Sequence, residues 1–420
     1  MLLLAHPTGN TFVRALGAGL AQADVLTEFH TCLDYPADDS WLSLFPKTWR
    51  RQGRRRQLPD ALKPFARIHP WREIGRLAGL PRLIPCLGRH ETGFCSVDQI
   101  YRALDRGVAT RLSALPDLRG VYLYEDGAAS SFAVARALGL ACFYDLPIGY
   151  WRAGQRILSE EAELSPEWAA TLVGLGDSPA KLTRKDEELA MADTVFVASS
   201  FTRATLAEAP KPPKHSVVIP YGAPTPPPGL QAARRRPGEP LRVLFVGSLG
   251  QRKGTRYLLE ALRKLGAEFE LTLIGSVPAA RCDPLMEALR RHRHIASLPH
   301  ADILHEMSRH HVLVFPSLFE GFGLVLLEAM ACGLPVIATP HTAAPDIMRE
   351  GCEGFIVPIR DSDAIATRLT WLAEDEDRRQ AMSSKARTRA AEFTWENYTQ
   401  RIIGAIEERL ASRAGPLNSP

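Results

Sequence analysis

The stretch SLFEGFGLVLLEAMACGLPVIAT, residues 317–339, joins a loop with two glycines to an apolar helix and then to a short strand. Glu328 lies in the predicted helix, and its neighbours three and four positions away are all apolar: Leu324, Val325, Ala331 and Cys332. A carboxylate in such surroundings has a large desolvation cost unless a protein group or a ligand pairs with it. Glu320 lies eight positions earlier, before Gly321 and Gly323. Two carboxylates around a bare-backbone loop and a helix start predict a polyhydroxylated, phosphorylated ligand.

A purely structural interpretation of this pair is also open. Glu320 would then be a loop or cap residue, and Glu328 would bond to a backbone or arginine neighbour. We favour the ligand because carboxylates, glycines and an apolar helix coincide within nine residues.

Outward from this stretch, short apolar runs alternate with helical stretches along the chain, which is typical of a parallel sheet with helical crossovers. Residues 222–240, GAPTPPPGLQAARRRPGEP, interrupt the alternation, because such a segment forms no core element. The predicted strands are 2–5, 121–124, 141–144, 195–198 and 217–219 before the interruption, and 242–246, 271–274, 312–315, 336–338 and 355–357 after it. We therefore predict an α/β chain with two doubly wound parallel-sheet domains facing a cleft. Ligands in such sheets bind beyond the carboxyl ends of the strands.

The same pattern predicts four divisions of the chain. An N-terminal domain covers residues 1–221 and carries an insertion over about 40–90. A linker covers 222–240, and a C-terminal domain covers 241–392. Residues 393–412 form an amphipathic helix.

Bulk properties exclude several classes of protein. The chain has 420 residues, 45 % of them hydrophobic and 23 % charged, as in ordinary globular proteins. A net charge of +4 is too small to indicate nucleic-acid binding. Seven scattered cysteines without a Cys-x-x-Cys pair indicate neither a disulfide framework nor a zinc site. MLLLAHPTGN is too short an apolar run for a signal peptide, and no run approaches the length of a membrane span, so we expect a cytoplasmic protein.

The insertion is strongly basic. Residues 47–82 contain eleven Lys or Arg against two acids, Asp60 and Glu73. Aromatic residues are interspersed: Trp41, Phe45, Trp49, Phe65 and Trp71. A solvated basic insertion is one interpretation, and a peripheral contact with anionic lipid headgroups is the sharper one. Nucleic acid is a weaker third option.

A second candidate site lies in FVGSLGQRKGTRYLLEAL, residues 245–262. Arg252 and Lys253 occupy a glycine-bearing loop between a predicted strand and a predicted helix. Backbone N–H groups at a helix start bind phosphate, and two nearby cations neutralise a leaving diphosphate. An exposed basic turn is the alternative for this loop.

With these motifs the chain resembles the retaining glycosyltransferases of family 4, which have the GT-B fold. The resemblance rests on RKG at 252–254 and on the acid pair in EGFGLVLLE. ACGLPVIAT, VIPYG at 218–222 and DTVFVASSFTRATL at 193–206 add to it. It covers essentially the whole chain and is stronger in the C-terminal half.

The resemblance implies a role for each of these residues. Arg252 and Lys253 would contact the nucleotide diphosphate, Glu328 the ribose hydroxyls and Glu320 the donor sugar. Other donor-binding positions would be Gly9, Gly247, Ser248, Gly275, Gly321, Phe322, Gly323 and Leu324. The donor would be a UDP- or GDP-sugar, no metal or other cofactor would be needed, and the anomeric configuration would be retained. The helix over 393–412 would cross back to the first domain.

The implied activity is transfer of a sugar to an unidentified acceptor, a glycan or a lipid-linked molecule. A nucleotide-sugar hydrolase or epimerase and a non-catalytic sugar-nucleotide-binding subunit are the alternatives. No Gly-x-Gly-x-x-Gly follows the first strand, which disfavours a dinucleotide oxidoreductase.

The chain departs from the family pattern in three loops, of which the first, HPTGN, carries only one glycine. Ser248 stands where many members carry an arginine, so Arg252 and Lys253 would bear more of the diphosphate. Where many members have a sugar-facing histidine, the loop here reads YDLPIGYW. Either Asp145 or Asp126 would take that role, or the sugar-facing chemistry would differ. A turn cap is the alternative for Asp145. Asn10 is predicted to cap the first helix.

Overall fold

The computed structural model describes residues 1–36, 53–172, 174–227, 229–230, 232–278 and 281–413. Part of the basic insertion, including Trp41, Phe45, Lys47 and Trp49, lies outside these ranges. The described residues form two parallel sheets, one of seven strands and one of six.

The first sheet has the strand order β3-β2-β1-β4-β5-β6-β7, and every pair in it is parallel. Its strands are β1 Leu2–Ala5, β2 Leu26–Thr31, β3 Ala66–Ile68, β4 Gly120–Tyr124, β5 Ala141–Leu146, β6 Thr194–Val197 and β7 Ser216–Val218. The central strands are buried throughout, as expected for a sheet covered on both faces. The strand order reverses between β1 and β4, which is where ligands bind in such sheets.

The second sheet has the order β10-β9-β8-β11-β12-β13, again with parallel pairs throughout. Its strands are β8 Leu241–Val246, β9 Phe269–Ile274, β10 Arg293–Ile295, β11 Val312–Phe315, β12 Val336–Ala338 and β13 Gly354–Ile356. The order reverses between β8 and β11. The predicted pair of doubly wound α/β domains is therefore confirmed.

Helices fill the connections between the strands. Those up to residue 218 are Thr11–Gln22, Trp71–Leu77, Leu80–Leu83, Val97–Leu112, Ala129–Ala137, Trp151–Leu164, Pro166–Ala169, Pro179–Met191 and Ser200–Thr205. Those after residue 240 are Thr255–Leu265, Asp283–Arg291, His300–Ser308, Leu324–Ala331, Ala344–Ile347, Ser362–Glu374, Glu376–Ala390 and Trp395–Arg413. Within the described ranges, none of them combines the length and apolar character needed to cross a bilayer.

The two sheets are held together by chain segments that cross between them. The last helix, Trp395–Arg413, packs against helix Thr11–Gln22, where Thr399 Oγ1 donates to Ala15 O at 3.4 Å. Helix Trp151–Leu164 packs into the core of the second sheet, sharing a buried cluster with β8. Loops from the carboxyl ends of both sheets therefore meet face to face.

Candidate functional site

The loop after β8 presents two cations beside the loop after β11. Arg252 and Lys253 lie in a short 3₁₀ turn, and Gly254 follows with φ +69° before helix Thr255–Leu265 begins. A side chain at position 254 would overlap the carbonyl oxygen of Pro316, so glycine is needed for this close approach. Leu318 N donates to Arg252 O at 2.9 Å and ties the two loops together.

Glu320 joins the two cations. Its carboxylate forms an ion pair with Lys253 Nζ and lies 3.5 Å from Arg252 Nη1, which also donates to Phe319 O at 2.9 Å. The side chains of Lys253 and Glu320 are 13 % and 14 % exposed, so the pair is largely shielded from water. Burial, together with the neighbouring guanidinium, holds the pKa of Lys253 well below its usual value. The structure thus brings these three predicted residues into one cluster.

Glu328 lies one turn into helix Leu324–Ala331. Its side chain is less buried than the sequence predicted. Its side chain is 16 % exposed, because Leu324 and Val325 on the same helix are only half-buried. The partner of Oε1 is His300 Nε2, at 2.9 Å, rather than a backbone or arginine group. This bond raises the pKa of His300. Among the described residues, nothing else bonds to the Glu328 carboxylate, so Oε2 is open to a ligand.

The glycine loop between the two acids packs against the first domain. The carbonyl of Gly321 accepts hydrogen bonds from Ser199 Oγ at 2.5 Å and Thr202 Oγ1 at 2.9 Å. A side chain on Gly321 would overlap the carbonyl of Pro147. Phe322 packs its ring against Tyr221 at 4.9 Å, so that side chain contributes to interdomain packing.

Helix Leu324–Ala331 begins directly after this loop. Gly323, with φ +84°, precedes it, and no side chain caps its N-terminus. The N-cap of helix Thr255–Leu265 is Gly254, which has no side chain, but the side chain of Gln251 accepts from Arg256 N at 3.1 Å in the first turn. Free N–H groups at a helix start attract anions, and both helices start at the carboxyl edge of the second sheet.

The first loop of the N-terminal domain is shaped by His6. Its Nδ1 accepts from the backbone N–H groups of Thr8 and Gly9, both at 3.1 Å, and its Nε2 lies 3.3 Å from Tyr101 Oη. Burial lowers the pKa of His6 to about 3, so the ring is neutral and free to accept. The prediction that Asn10 caps the next helix is wrong, because its side chain accepts from Thr8 Oγ1 instead. Gly9 consequently lies beside another helix start that has no side-chain cap.

The remaining predicted donor positions lie at the ends of β8 and β9. Gly247 N donates to Ile274 O at 2.8 Å, and Gly275 N donates to Ile295 O at 2.9 Å. Ser248, which follows Gly247 in the chain, is exposed. These contacts hold the two strand ends side by side and leave the serine open to solvent.

Asp145 is placed differently from the prediction. It belongs to β5 rather than to a loop, so the turn-cap alternative is wrong, and it is 3 % exposed. Tyr122 Oη donates to its Oδ2 at 2.7 Å, and burial raises its pKa to about 7. Its role as a sugar contact stays a prediction, and the burial of its side chain argues against a direct contact.

Asp126, the other candidate for that role, follows β4 with φ +71°. Its carboxylate lies 3.3 Å from Arg184 and within 3.8 Å of Lys181 and Lys185. Its own N–H donates to Glu188 at 2.9 Å. Asp126 is therefore held in a charged network on helix Pro179–Met191.

Glu161 and His300 are site residues that the sequence did not reveal. Glu161 is fully buried on a first-domain helix, yet it accepts from Gln251 at 2.7 Å and Tyr257 at 2.9 Å in the second domain. Arg360 Nε donates to it at 2.8 Å, and Ser165 Oγ donates to it at 2.9 Å. Gln251 directly precedes the cationic pair, so Glu161 fixes the loop after β8 against the first domain. Neither Glu161 nor His300 lies in a recognisable sequence motif, because the partners of each are remote in the chain.

Comparisons with known proteins agree with this architecture. Residues 230–389 match the model of the family described as Glycosyl transferases group 1. O-antigen chain mannosyltransferase B of Escherichia coli is 29 % identical over 174 residues, which is 39 % of this chain and 45 % of that protein. The chain thus spans about half the length of the curated relatives it matches.

Solved structures match over the whole chain. Sucrose-phosphate synthase from Thermosynechococcus elongatus has a TM-score of 0.68 at 19 % identity, covering 98 % of this chain and 99 % of that one. Anabaena HepE in complex with UDP and glucose has a TM-score of 0.61 at 16 % identity, covering 97 % and 99 %. The GT-B fold is confirmed, and residues 230–389 are similar to the group 1 glycosyl transferases.

Proposed function

We propose that this chain is a retaining glycosyltransferase that moves a sugar from a UDP- or GDP-sugar to an acceptor in glycan, glycolipid or cell-surface polysaccharide biosynthesis. One observation carries the proposal: Arg252, Lys253 and Glu320 converge at the carboxyl edge of the second sheet, facing the first domain. This edge is where ligands bind in doubly wound sheets.

The cationic pair would stabilise the leaving nucleoside diphosphate. When the bond between the anomeric carbon and the diphosphate oxygen breaks, negative charge grows on that oxygen. Arg252, Lys253 and the helix start after Gly254 are fixed in advance around this position, which is where catalysis gains most. These groups supply the charge stabilisation that a metal supplies elsewhere, so we propose a metal-independent reaction.

The two carboxylates would hold the ribose and the transferred sugar. Oε2 of Glu328 is open, and His300 already orients the opposite oxygen, so one ribose hydroxyl has an acceptor in place. Glu320 lies at the junction between the cations and the first domain, where the sugar would point. The matching family model and the UDP in the HepE complex support a sugar nucleotide as the ligand.

Donor binding and turnover can be tested separately. A panel of UDP- and GDP-sugars is screened by thermal shift, since a ligand of the folded form raises the unfolding temperature. The parent is compared with Arg252→Ala and with Arg263→Ala, which removes an exposed cation from the same helix region. We expect a shift with one donor class, lost only in Arg252→Ala. Product analysis then separates transfer from hydrolysis or epimerisation, and no shift with any donor would refute the proposal.

A further inference from the structure

The surface of the N-terminal domain is unusually apolar in one segment, residues 68–97. The described residues include twelve large hydrophobic side chains that are exposed, and eight of them lie in this segment. Trp71 and Leu83 are 78 % and 77 % exposed, the highest values among the twelve. Exposed apolar groups gathered in this way mark an interaction surface, whereas single ones need no explanation.

Local contacts make the segment one compact unit. Trp71 and Ile74 lie one turn apart on helix Trp71–Leu77. Arg72 lies 4.1 Å from the ring centroid of Phe94 and donates to its carbonyl at 2.8 Å, which fixes that exposed ring beside the helix. Leu83 ends the next helix, and Ile84 follows it. The apolar side chains are therefore displayed by ordered backbone.

The same unit is basic. Residues 68–97 contain four arginines and two acids, Glu73 and Glu91. One of the acids, Glu73, is fully buried and paired with Arg56 and Arg76. Arg82 and Arg89 are exposed, and neither forms an ion pair with any described residue. Unpaired cations next to exposed tryptophan and leucine complement a bilayer with anionic headgroups, which presents negative charge above an apolar layer.

The position of residues 68–97 in the fold indicates a function for this surface. β3 is the edge strand of the first sheet, and helix Trp71–Leu77 begins three residues after β3 ends. All strands are parallel, so the unit starts at the carboxyl edge, which faces the second domain. At its other end, Glu91 accepts from Ser178 N at 2.7 Å at the start of helix Pro179–Met191. Lys185 of that helix lies 3.4 Å from Glu125, directly after β4.

We infer that residues 68–97 dock the protein on an anionic bilayer and hold the opening between its domains at the membrane surface. The apolar side chains enter the headgroup region while Arg82 and Arg89 meet lipid phosphates. The inference requires no donor chemistry, and an acceptor carried by a membrane lipid would be within reach.

Vesicle co-sedimentation of the full chain tests this inference without any sugar nucleotide. Vesicles are phosphatidylcholine alone or phosphatidylcholine with phosphatidylglycerol, in salt of about 0.1 M and about 1 M. We expect binding only to the anionic vesicles and mainly at low salt. Arg82→Gln with Arg89→Gln should weaken it by about fivefold per arginine, and Trp71→Ala with Leu83→Ala by about tenfold or more.

Matched variants elsewhere keep the result specific. Leu138→Ala with Met286→Ala removes exposed apolar groups, and Arg290→Gln with Arg291→Gln removes exposed cations. Both should bind vesicles like the parent. Equal binding to neutral vesicles, or equal loss in the control variants, would overturn the inference. So would a change from dimer to monomer in Trp71→Ala with Leu83→Ala while vesicle binding persists, because the surface would then join two copies of the chain.

Discussion

Replacing Asp145 with asparagine should stabilise the folded chain at pH 8 and change little at pH 4. The carboxyl is buried, and its pKa is raised to about 7 despite the bond from Tyr122. The hydroxyls of Tyr124, Tyr221 and Tyr398 are buried close to it, and none has a hydrogen-bond partner among the described residues. Asparagine keeps the acceptor for Tyr122 and adds an N–H donor for one of these oxygens, without a charge.

The magnitude follows from linkage. A carboxyl whose pKa is higher in the folded chain than in the unfolded chain makes its full contribution to the free energy of unfolding at low pH, where it is protonated in both states. Stability then falls as pH rises, by about 1.36 kcal/mol per pH unit between about 4 and about 7. The loss for Asp145 is about 4 kcal/mol in total, of which about 2.7 kcal/mol falls between pH 5 and pH 7. Tyrosine hydroxyls that turn towards the ionised carboxylate would reduce this loss of stability, so these values are upper bounds.

Urea unfolding followed by tryptophan fluorescence at pH 5 and pH 8 measures the effect. The matched control is Asp60→Asn, whose parent side chain is 95 % exposed. We expect the gain in stability of Asp145→Asn over the parent to grow by about 2–3 kcal/mol between the two pH values. The free energy of unfolding of Asp60→Asn should change with pH in the same way as that of the parent. A gain that is the same at both pH values would refute the reasoning, because Asp145 would then be ionised in the folded chain throughout.

Three substitutions probe the site itself. Lys253→Ala should lower kcat by about 10²–10³, the range for losing one charge-stabilising donor, and a rate within a few-fold of the parent would place the loop away from the diphosphate. Glu328→Ala should weaken UDP or GDP binding in calorimetry with little effect on folding, and intact affinity would contradict its ribose role. Gly321→Ala should push the loop off Pro147 and lower both the unfolding temperature and kcat. Gly404→Ala, where a methyl group meets open space, should be neutral or stabilising, and equal behaviour of the two variants would argue against tight interdomain packing.

The strands that could be predicted from the sequence are those whose cores are apolar. β1, β11 and β12 begin and end where the apolar runs predicted. β2 was not predicted, because its sequence LTEFHT includes Glu28 and His30. Those two side chains are buried and pair with each other at 2.9 Å, which compensates their polarity only in the folded chain. β10 was not predicted either, since RHI is a short edge strand with an exposed arginine.

The site residues divide in the same way as the strands. Some could be predicted from local sequence, and others depend on contacts between residues that are remote in the chain. Arg252, Lys253 and Glu320 were found because each lies in a short motif with glycines. The partners of Glu328 and Gly321 were not, since His300 and Ser199 lie 28 and 122 positions away in sequence and belong to other elements. Asp145 was assigned to a loop because a proline follows two residues later, but pairing with β4 and β6 extends the strand through it.

The ion pair between Lys253 and Glu320 explains how two cations can lie side by side in a shielded position. Arg252 and Lys253 lie close together, and each repels the other's charge. Glu320 balances one of them, and the carbonyl of Phe319 accepts from Arg252. Such pairing is costly to desolvate and weak as a source of stability, so we attribute it to the proposed donor binding rather than to folding. In the proposed reaction the diphosphate would bring further negative charge to the two cations. The attraction would grow as the leaving oxygen becomes charged, which is the condition for lowering a barrier rather than only binding a substrate.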